Sequence, residues 1–115
     1  MKRGDVFWAD LVPRSGSGTT GGLPVVIVSH DGFNQTPNWR SVLVVPVVPS
    51  PSERPLGLTI AALPAGSASL KVDSIAVCHQ ITALDRARLS QRLGSLSHKL
   101  LHDVDQALKA AIDME

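Results

Sequence analysis

Aromatic side chains are almost missing from this chain of 115 residues, which has no tyrosine, two phenylalanines and two tryptophans. Nucleic-acid binding by long rows of stacked rings is therefore not expected. No excess of either charge stands out. Eleven Lys and Arg face ten Asp and Glu, a net charge of +1 with His neutral, so overall basicity does not advertise a polyanionic partner. The single cysteine, Cys78, excludes an intrachain disulfide and a multi-Cys metal site within one chain. It lies in an apolar run and reads as a small buried hydrophobe. The longest apolar run, Val42–Val48, is interrupted by Pro46 and is far too short to span a bilayer. Met1-Lys2-Arg3-Gly4-Asp5 carries charge with no long apolar stretch behind it, unlike a signal peptide, so a cytoplasmic location is expected.

The chain is 43% hydrophobic and 18% charged, which fits one globular domain. A domain of this size keeps a large share of its surface in water, so an oligomer interface is expected to add stability. Asp5–Leu11 reads as a strand, with Val6 and Trp8 on one face and Phe7, Ala9 and Leu11 on the other. Pro13–Gly22 holds four Gly, two Ser and two Thr and reads as a loop. Val25–Ser29 and Ser41–Val48 are β-branched runs of the buried-strand type. His30–Arg40 between them is rich in turn residues, and Pro49–Pro55 reads as an exposed loop. Gly57–Leu63 and Ser74–His79 are further strands. Asp85–Leu89 suits one helical turn, and Gln91–Leu96 is ambiguous. Ser97 is an N-cap for a helix whose apolar positions are Leu100, Leu101, Val104, Leu108, Ala111 and Ile112. Several short strands followed by one amphipathic helix predict a mainly β fold, a curled antiparallel sheet with the C-terminal helix packed on it. The cluster Arg86, Arg88 and Arg92 reads as solvated surface.

Five segments in order, Arg3–Leu11, Pro24–Asn34, Val42–Val48, Val72–Asp85 and the tail from Arg88, resemble the MazF/PemK family of bacterial toxin endoribonucleases. The resemblance covers nearly the whole chain. It implies a small curled antiparallel β-barrel of the plasmid-maintenance toxin type with a C-terminal helix. It also implies a homodimer, metal-independent cleavage of single-stranded RNA at short sequences, no cofactor and no membrane. The implied partner is an antitoxin whose acidic, disordered tail folds on docking. Members of the gyrase-poisoning branch of this fold have a tryptophan near the C-terminus, where this chain ends Ile112-Asp113-Met114-Glu115.

Metal-free RNA cleavage uses the ribose 2′-OH as nucleophile on the adjacent phosphate. A base takes its proton, an acid protonates the leaving 5′-oxygen, and a cation or N–H donors stabilise the growing phosphate charge. The family places Arg before the strand proline, where this chain has Leu23, and Thr or Ser after Val-Pro-Val, where it has Val48. A Ser-carboxylate pair of the first loop becomes Ser17-Gly18, and the Arg of a later Gln-Ile-Arg-Thr becomes Thr82. The remaining catalytic candidates are His79, whose imidazole can exchange protons near neutral pH, Arg14 as a phosphate cation, and Ser17. Thr19, Thr20, Arg40, Arg54, Lys71 and Gln80 are the RNA-binding candidates, and Arg14, Arg40, Arg54 and Lys71 can also receive an acidic tail. His98 and His102 are one helical turn apart, but no third ligand at a matching spacing accompanies them, and no metal is expected. Two readings stay open: a ribonuclease with a rebuilt site, and a catalytically degenerate relative that binds antitoxin or RNA without cutting.

Overall fold

Residues 1–10, 21–51 and 57–114 are described by the computed structural model. Among the described residues seven strands form, β1 (Asp5–Asp10), β2 (Gly22–Ile27), β3 (Ser41–Pro49), β4 (Ile60–Leu63), β5 (Ser74–Val77), β6 (Thr82–Asp85) and β7 (Leu89–Ser95). The helices are α1 (Asp31–Asn34) and α2 (His98–Ala111), with single 3₁₀ turns at Ser67–Ser69, Cys78–Gln80 and Arg86–Arg88. Pairing runs β4-β5-β3-β2-β1-β7, with β6 beside the first half of β3. Every pairing is antiparallel. The mainly β fold with a C-terminal helix is as expected.

β3 holds the sheet together. Its first half pairs with β6 through Ser41–Val44, and its second half with β5 through Val47–Pro49. The change of partner falls at Pro46. Val28 donates its N–H to the Leu43 carbonyl, so residues 43 and 45 aim their backbone groups at β2. Strand alternation then aims position 46 at the β5–β6 side. Proline has no N–H to offer there, and the facing chain leaves the ladder in the Cys78–Gln80 turn.

Two apolar layers result. The larger joins Val6, Val26, Val45, Val47, Leu63 and Ala76 to Val104 and Ala107 of α2, and Cys78 is fully buried in it. Burial raises the Cys78 thiol to about 11, and the charge of Asp105 adds to the effect. The smaller layer holds Ala9, Val25, Ile27, Val42 and Val44, with Phe7 and Leu23 against them. Ser97 caps α2 by accepting from the Leu100 N–H at 3.2 Å. Ala107, not Ile112, completes the buried face, because the helix stops at Ala111 and Ile112 is left 56% exposed. No helix among the described residues is long and apolar enough to cross a bilayer.

The sequence expectations need correction at several joints. Gly22 opens β2 and does not belong to a loop. Val28 and Ser29 lie past its end, β4 starts only at Ile60, and Cys78 and His79 turn out of β5. The ambiguous Gln91–Leu96 stretch is strand β7. β6 was not foreseen, since Thr82, Ala83 and Asp85 are exposed and leave no apolar alternation to see. Nor was α1, a single turn whose N–H at Gly32 is capped by His30 Nδ1 at 2.8 Å. Arg86 is not a merely solvated charge. It donates from Nε to the Trp39 carbonyl, from Nη1 to that of Asn34 and from Nη2 to that of Phe33, at 2.9, 2.8 and 2.9 Å.

Buried Asp5 ties the first strand to the last. It accepts from the Lys2 N–H at 2.9 Å and from the Ser95 hydroxyl, with Arg92 Nη2 at 3.5 Å. Burial alone would raise its carboxyl, but the Ser95, Lys2 and Arg92 interactions outweigh that and hold it below the ordinary 3.8. Asp31 is also lowered, by the Asn34 side chain first and the Arg3 N–H second. Carboxyls lowered in the folded state stabilise it above their unfolded values, and that contribution disappears as the pH falls through the folded values. The thermal midpoint is therefore expected to drop on acidification below about pH 4, and Asp5→Asn to flatten that dependence. Asp5→Ala leaves its donors without an acceptor and is expected to cost about 2–3 kcal/mol, read from urea unfolding at pH 7.

Candidate functional site

A cavity of about 340 Å³ opens where the two halves of the sheet curl together. Its walls include Trp8 of β1, Pro24 of β2, Val47, Val48 and Pro49 of β3, Ser74 of β5 and Leu93 of β7, and the Ser69–Val72 segment forms its rim. The sequence builds this hollow through two glycines. Trp8 pairs across the strands with Pro24, and its indole lies over Gly22. A Cβ on Gly22 would sit 2.4 Å from Trp8 Nε1 and 2.4 Å from the Ala9 carbonyl, so only glycine leaves the ring its seat. On the other side, Ala68 and Ser69 adopt positive φ of 45° and 63°. That turn buries Leu70 and leaves Lys71 and Val72 exposed. It rests on β7 at Gly94, where a Cβ would lie 2.8 Å from the Ala68 Cα.

The cavity is chiefly apolar. Lys71 is the one charged residue among the described lining. Ser69 and Ser74 add hydroxyls, and that of Ser74 donates to the Val72 carbonyl at 2.9 Å. Val48 puts two methyl groups where a threonine would offer a hydroxyl. Leu23 does not line the cavity. It is half-buried against the smaller apolar layer, because strand alternation turns it to the face opposite Pro24. Lys71 can hold a phosphate as a point charge, and Trp8, 36% exposed, offers a ring for stacking.

The candidates from the sequence are spread over the molecule. Lys71 joins Trp8, Pro24 and Val48 at the cavity. His79 and Gln80 do not line it; they lie in the exposed turn after β5, with His79 Nδ1 3.5 Å from Thr59 Oγ1. Ser74 marks the cavity end of β5, and Val77 is already roughly 10 Å away at about 3.3 Å per residue. Arg40 lies before β3, where its carbonyl accepts the Arg86 N–H at 2.7 Å. Along β3 it is seven residues from Val47, the nearest cavity residue of that strand, roughly 23 Å at the same rise. Arg14, Ser17, Thr19, Thr20 and Arg54 lie outside the described residues. Among the described residues, no group of three or more His, Cys, Asp or Glu is placed to hold a metal ion. Sequence reasoning passed over Trp8, Ser69, Ser74 and Leu93. Only Trp8 left a signal, as one of two tryptophans in a chain poor in aromatic residues.

Gly22→Ala should push the Trp8 indole off its seat. A loss of about 1–3 kcal/mol is expected from the forced overlap, together with a shifted Trp8 emission in a Trp39→Phe background. Unchanged emission and stability would show that the ring does not depend on Gly22.

Comparison with known proteins places this geometry in a family. A model of the PemK-like, MazF-like toxins of type II toxin–antitoxin systems matches residues 2–112. Endoribonuclease MazF9 of Mycobacterium tuberculosis is 33% identical over 118 residues, which cover 99% of this chain and 98% of the relative. Endoribonuclease MazF of Staphylococcus saprophyticus is 31% identical over 114 residues, covering 99% and 92%. Among solved structures, a mycobacterial endoribonuclease in complex with its cognate antitoxin superposes with a TM-score of 0.79 at 22% identity, covering 100% of this chain and 97% of that one. A MazE–MazF structure from Deinococcus radiodurans gives 0.79 at 21% identity with the same coverage. These structures share the fold, and with the match along almost its entire length the chain belongs to the PemK-like, MazF-like toxin family of type II toxin–antitoxin systems.

Proposed function

We propose that this chain is an endoribonuclease toxin that cuts single-stranded RNA at the cavity between Trp8 and Lys71 without a metal. The observation that carries the reading is the convergence of Trp8, Pro24, Val48 and Lys71 on one hollow. Pro24 and Val48 stand at or beside the positions where the family resemblance puts the chemistry. The Lys71 ammonium supplies positive charge for the phosphate, whose negative charge grows as the 2′-oxygen attacks. Trp8 provides a face for one base. Arg14 and Ser17 belong to the segment joining the two strands that supply Trp8 and Pro24, and this reading assigns them to the phosphate as well. His79 lies away from the cavity, and the described lining holds no acid or base, so in this reading water takes the 2′-OH proton and supplies the proton for the leaving 5′-oxygen.

The relatives named above include toxins seen with their antitoxins. For this chain we assign the same kind of partner, an acidic disordered segment that folds on docking and covers the cavity. Its cationic contacts are Arg14, Arg40, Arg54 and Lys71, and the active form is a homodimer.

One observation favours a second reading, in which the protein binds antitoxin or RNA but does not cut. The described lining offers one cation and no free acid or base, with Leu23 and Val48 where Arg and Thr are usual.

Incubation of a long unstructured RNA with the protein in EDTA separates the two. Discrete cuts are expected, slowed about 100-fold in Lys71→Ala and Arg14→Ala, the scale of losing one charge-stabilising donor. His79→Ala is expected to cut within a few-fold of the parent. A folded, dimeric protein that binds the RNA and leaves it intact would establish the second reading. Reversing Arg14, Arg40, Arg54 and Lys71 to Glu together should abolish capture of a cognate acidic tail; unchanged affinity would remove these residues from the antitoxin interface.

A further inference from the structure

Half of the chain's four Phe and Trp residues are spent on an exposed pair far from the cavity. Phe33 and Trp39 stack with centroids 4.7 Å apart and planes inclined by 27°. They are 44% and 46% exposed, so nearly half of each side chain still faces water. The frame beneath them is closely bonded. Asn34, 1% exposed, donates to the Ser29 carbonyl at 2.8 Å and fixes α1 from below. The Thr36 hydroxyl donates to the Gly32 carbonyl at 2.6 Å, and the Trp39 N–H to the Thr36 carbonyl at 3.1 Å. Arg86 reaches across from the turn after β6 and holds the carbonyls of both ring-bearing residues.

That clamp also places charge beside the rings. The three bonds of Arg86 use three of the five guanidinium N–H groups, and the cation remains. A groove of about 430 Å³ next to Trp39 is lined by Arg40, Arg86, Pro37, Asn38 and Asp85. Asp85 already accepts the Ala87 N–H at 2.9 Å through one carboxylate oxygen. The other acidic neighbour, Asp31, is taken up by the Arg3 N–H and the Asn34 side chain. A rigid ring face flanked by two arginines matches a nucleobase with its phosphates. It matches an apolar protein surface poorly, since the arginines would lose their water on docking.

We infer that Phe33, Trp39, Arg40 and Arg86 form a second contact for single-stranded RNA, an accessory platform at the opposite end of β3 from the cavity. One base stacks on the Phe33–Trp39 pair, Arg40 takes a flanking phosphate, and Arg86 fixes the platform while adding charge. The inference rests on the reading of this chain as an RNA-binding toxin and adds an anchor outside the cavity.

The test uses the full chain and a 12-nucleotide mixed-sequence RNA with 2′-O-methyl sugars, which removes the internal nucleophile. Affinity is read by anisotropy and the oligomeric state by sedimentation at the same protein concentration. Trp39→Leu keeps an apolar side chain and removes the ring, and it is expected to weaken binding about fivefold to a hundredfold, the range for losing one stacked base. Trp39→Phe keeps a ring and is expected within about threefold of the parent by the same reasoning. Arg40→Ala should make the salt dependence shallower by about 0.7 in log–log slope, one phosphate contact fewer. Parent protein that binds the RNA while Trp39→Leu binds equally well would overturn the platform and leave the cavity reading intact. So would a loss of affinity in Trp39→Leu that comes with a change of oligomeric state, which would make this face a contact between copies of the chain. A parent protein with no affinity for the RNA would overturn both.

Discussion

The missing N–H of Pro46 sets the constraint on which the rest of the structure depends. β3 runs through the middle of the sheet and can satisfy β2 along one edge without interruption. On its other edge, one absent donor divides the ladder, and the chain answers with two short strands in place of one long one. That division lets β5 lean away with β4 towards α2 while β6 stays with the first half of the sheet. The cavity opens on the β5 side and the aromatic pair on the β6 side.

Closure from the outside is equally local. Gly94 lets the Ser67–Ser69 turn rest on β7, and Gly22 leaves room for the indole of Trp8, which pairs across the strands with Pro24. Neither contact is large, yet each sets one wall of the same cavity. Asp5 and Arg3 then fasten the start of the chain. Asp5 is bonded to Ser95 at the end of β7. Arg3 reaches the Val28 carbonyl at 3.0 Å and the Asp105 carboxylate on α2 at 2.6 Å. The first five residues are thereby tied to the last strand and the last helix, so the fold is assembled across long sequence separations.

Much of this arrangement was legible in the sequence. The β-branched runs announced β2 and β3, the Ser97 cap and apolar spacing announced α2, and the ordered segments announced the family. What stayed hidden has a physical reason in each case. β6 carries exposed side chains and exists because β3 offers it backbone groups. α1 is one turn, held by a histidine cap that periodicity does not reveal. Arg86 looked like any surface arginine, since its carbonyl partners at residues 33, 34 and 39 lie some fifty positions earlier. At the site, the altered Leu23 and Val48 were visible as letters. That Leu23 turns into the smaller apolar layer, and that Lys71 alone of the described cations reaches the cavity, are products of strand alternation and a left-handed turn.

Cys78 lies where β5, the turn after it and α2 meet, fully buried and with its thiol proton held up to about 11. A thiol reagent reacts with the thiolate and needs a path to the sulfur. Folded chains supply neither near neutral pH, whereas an opening that lifts α2 from the sheet supplies both at once. The protein thus carries a single built-in tag whose rate of modification counts how often its core comes apart, with no label to introduce and no second thiol to confuse the reading.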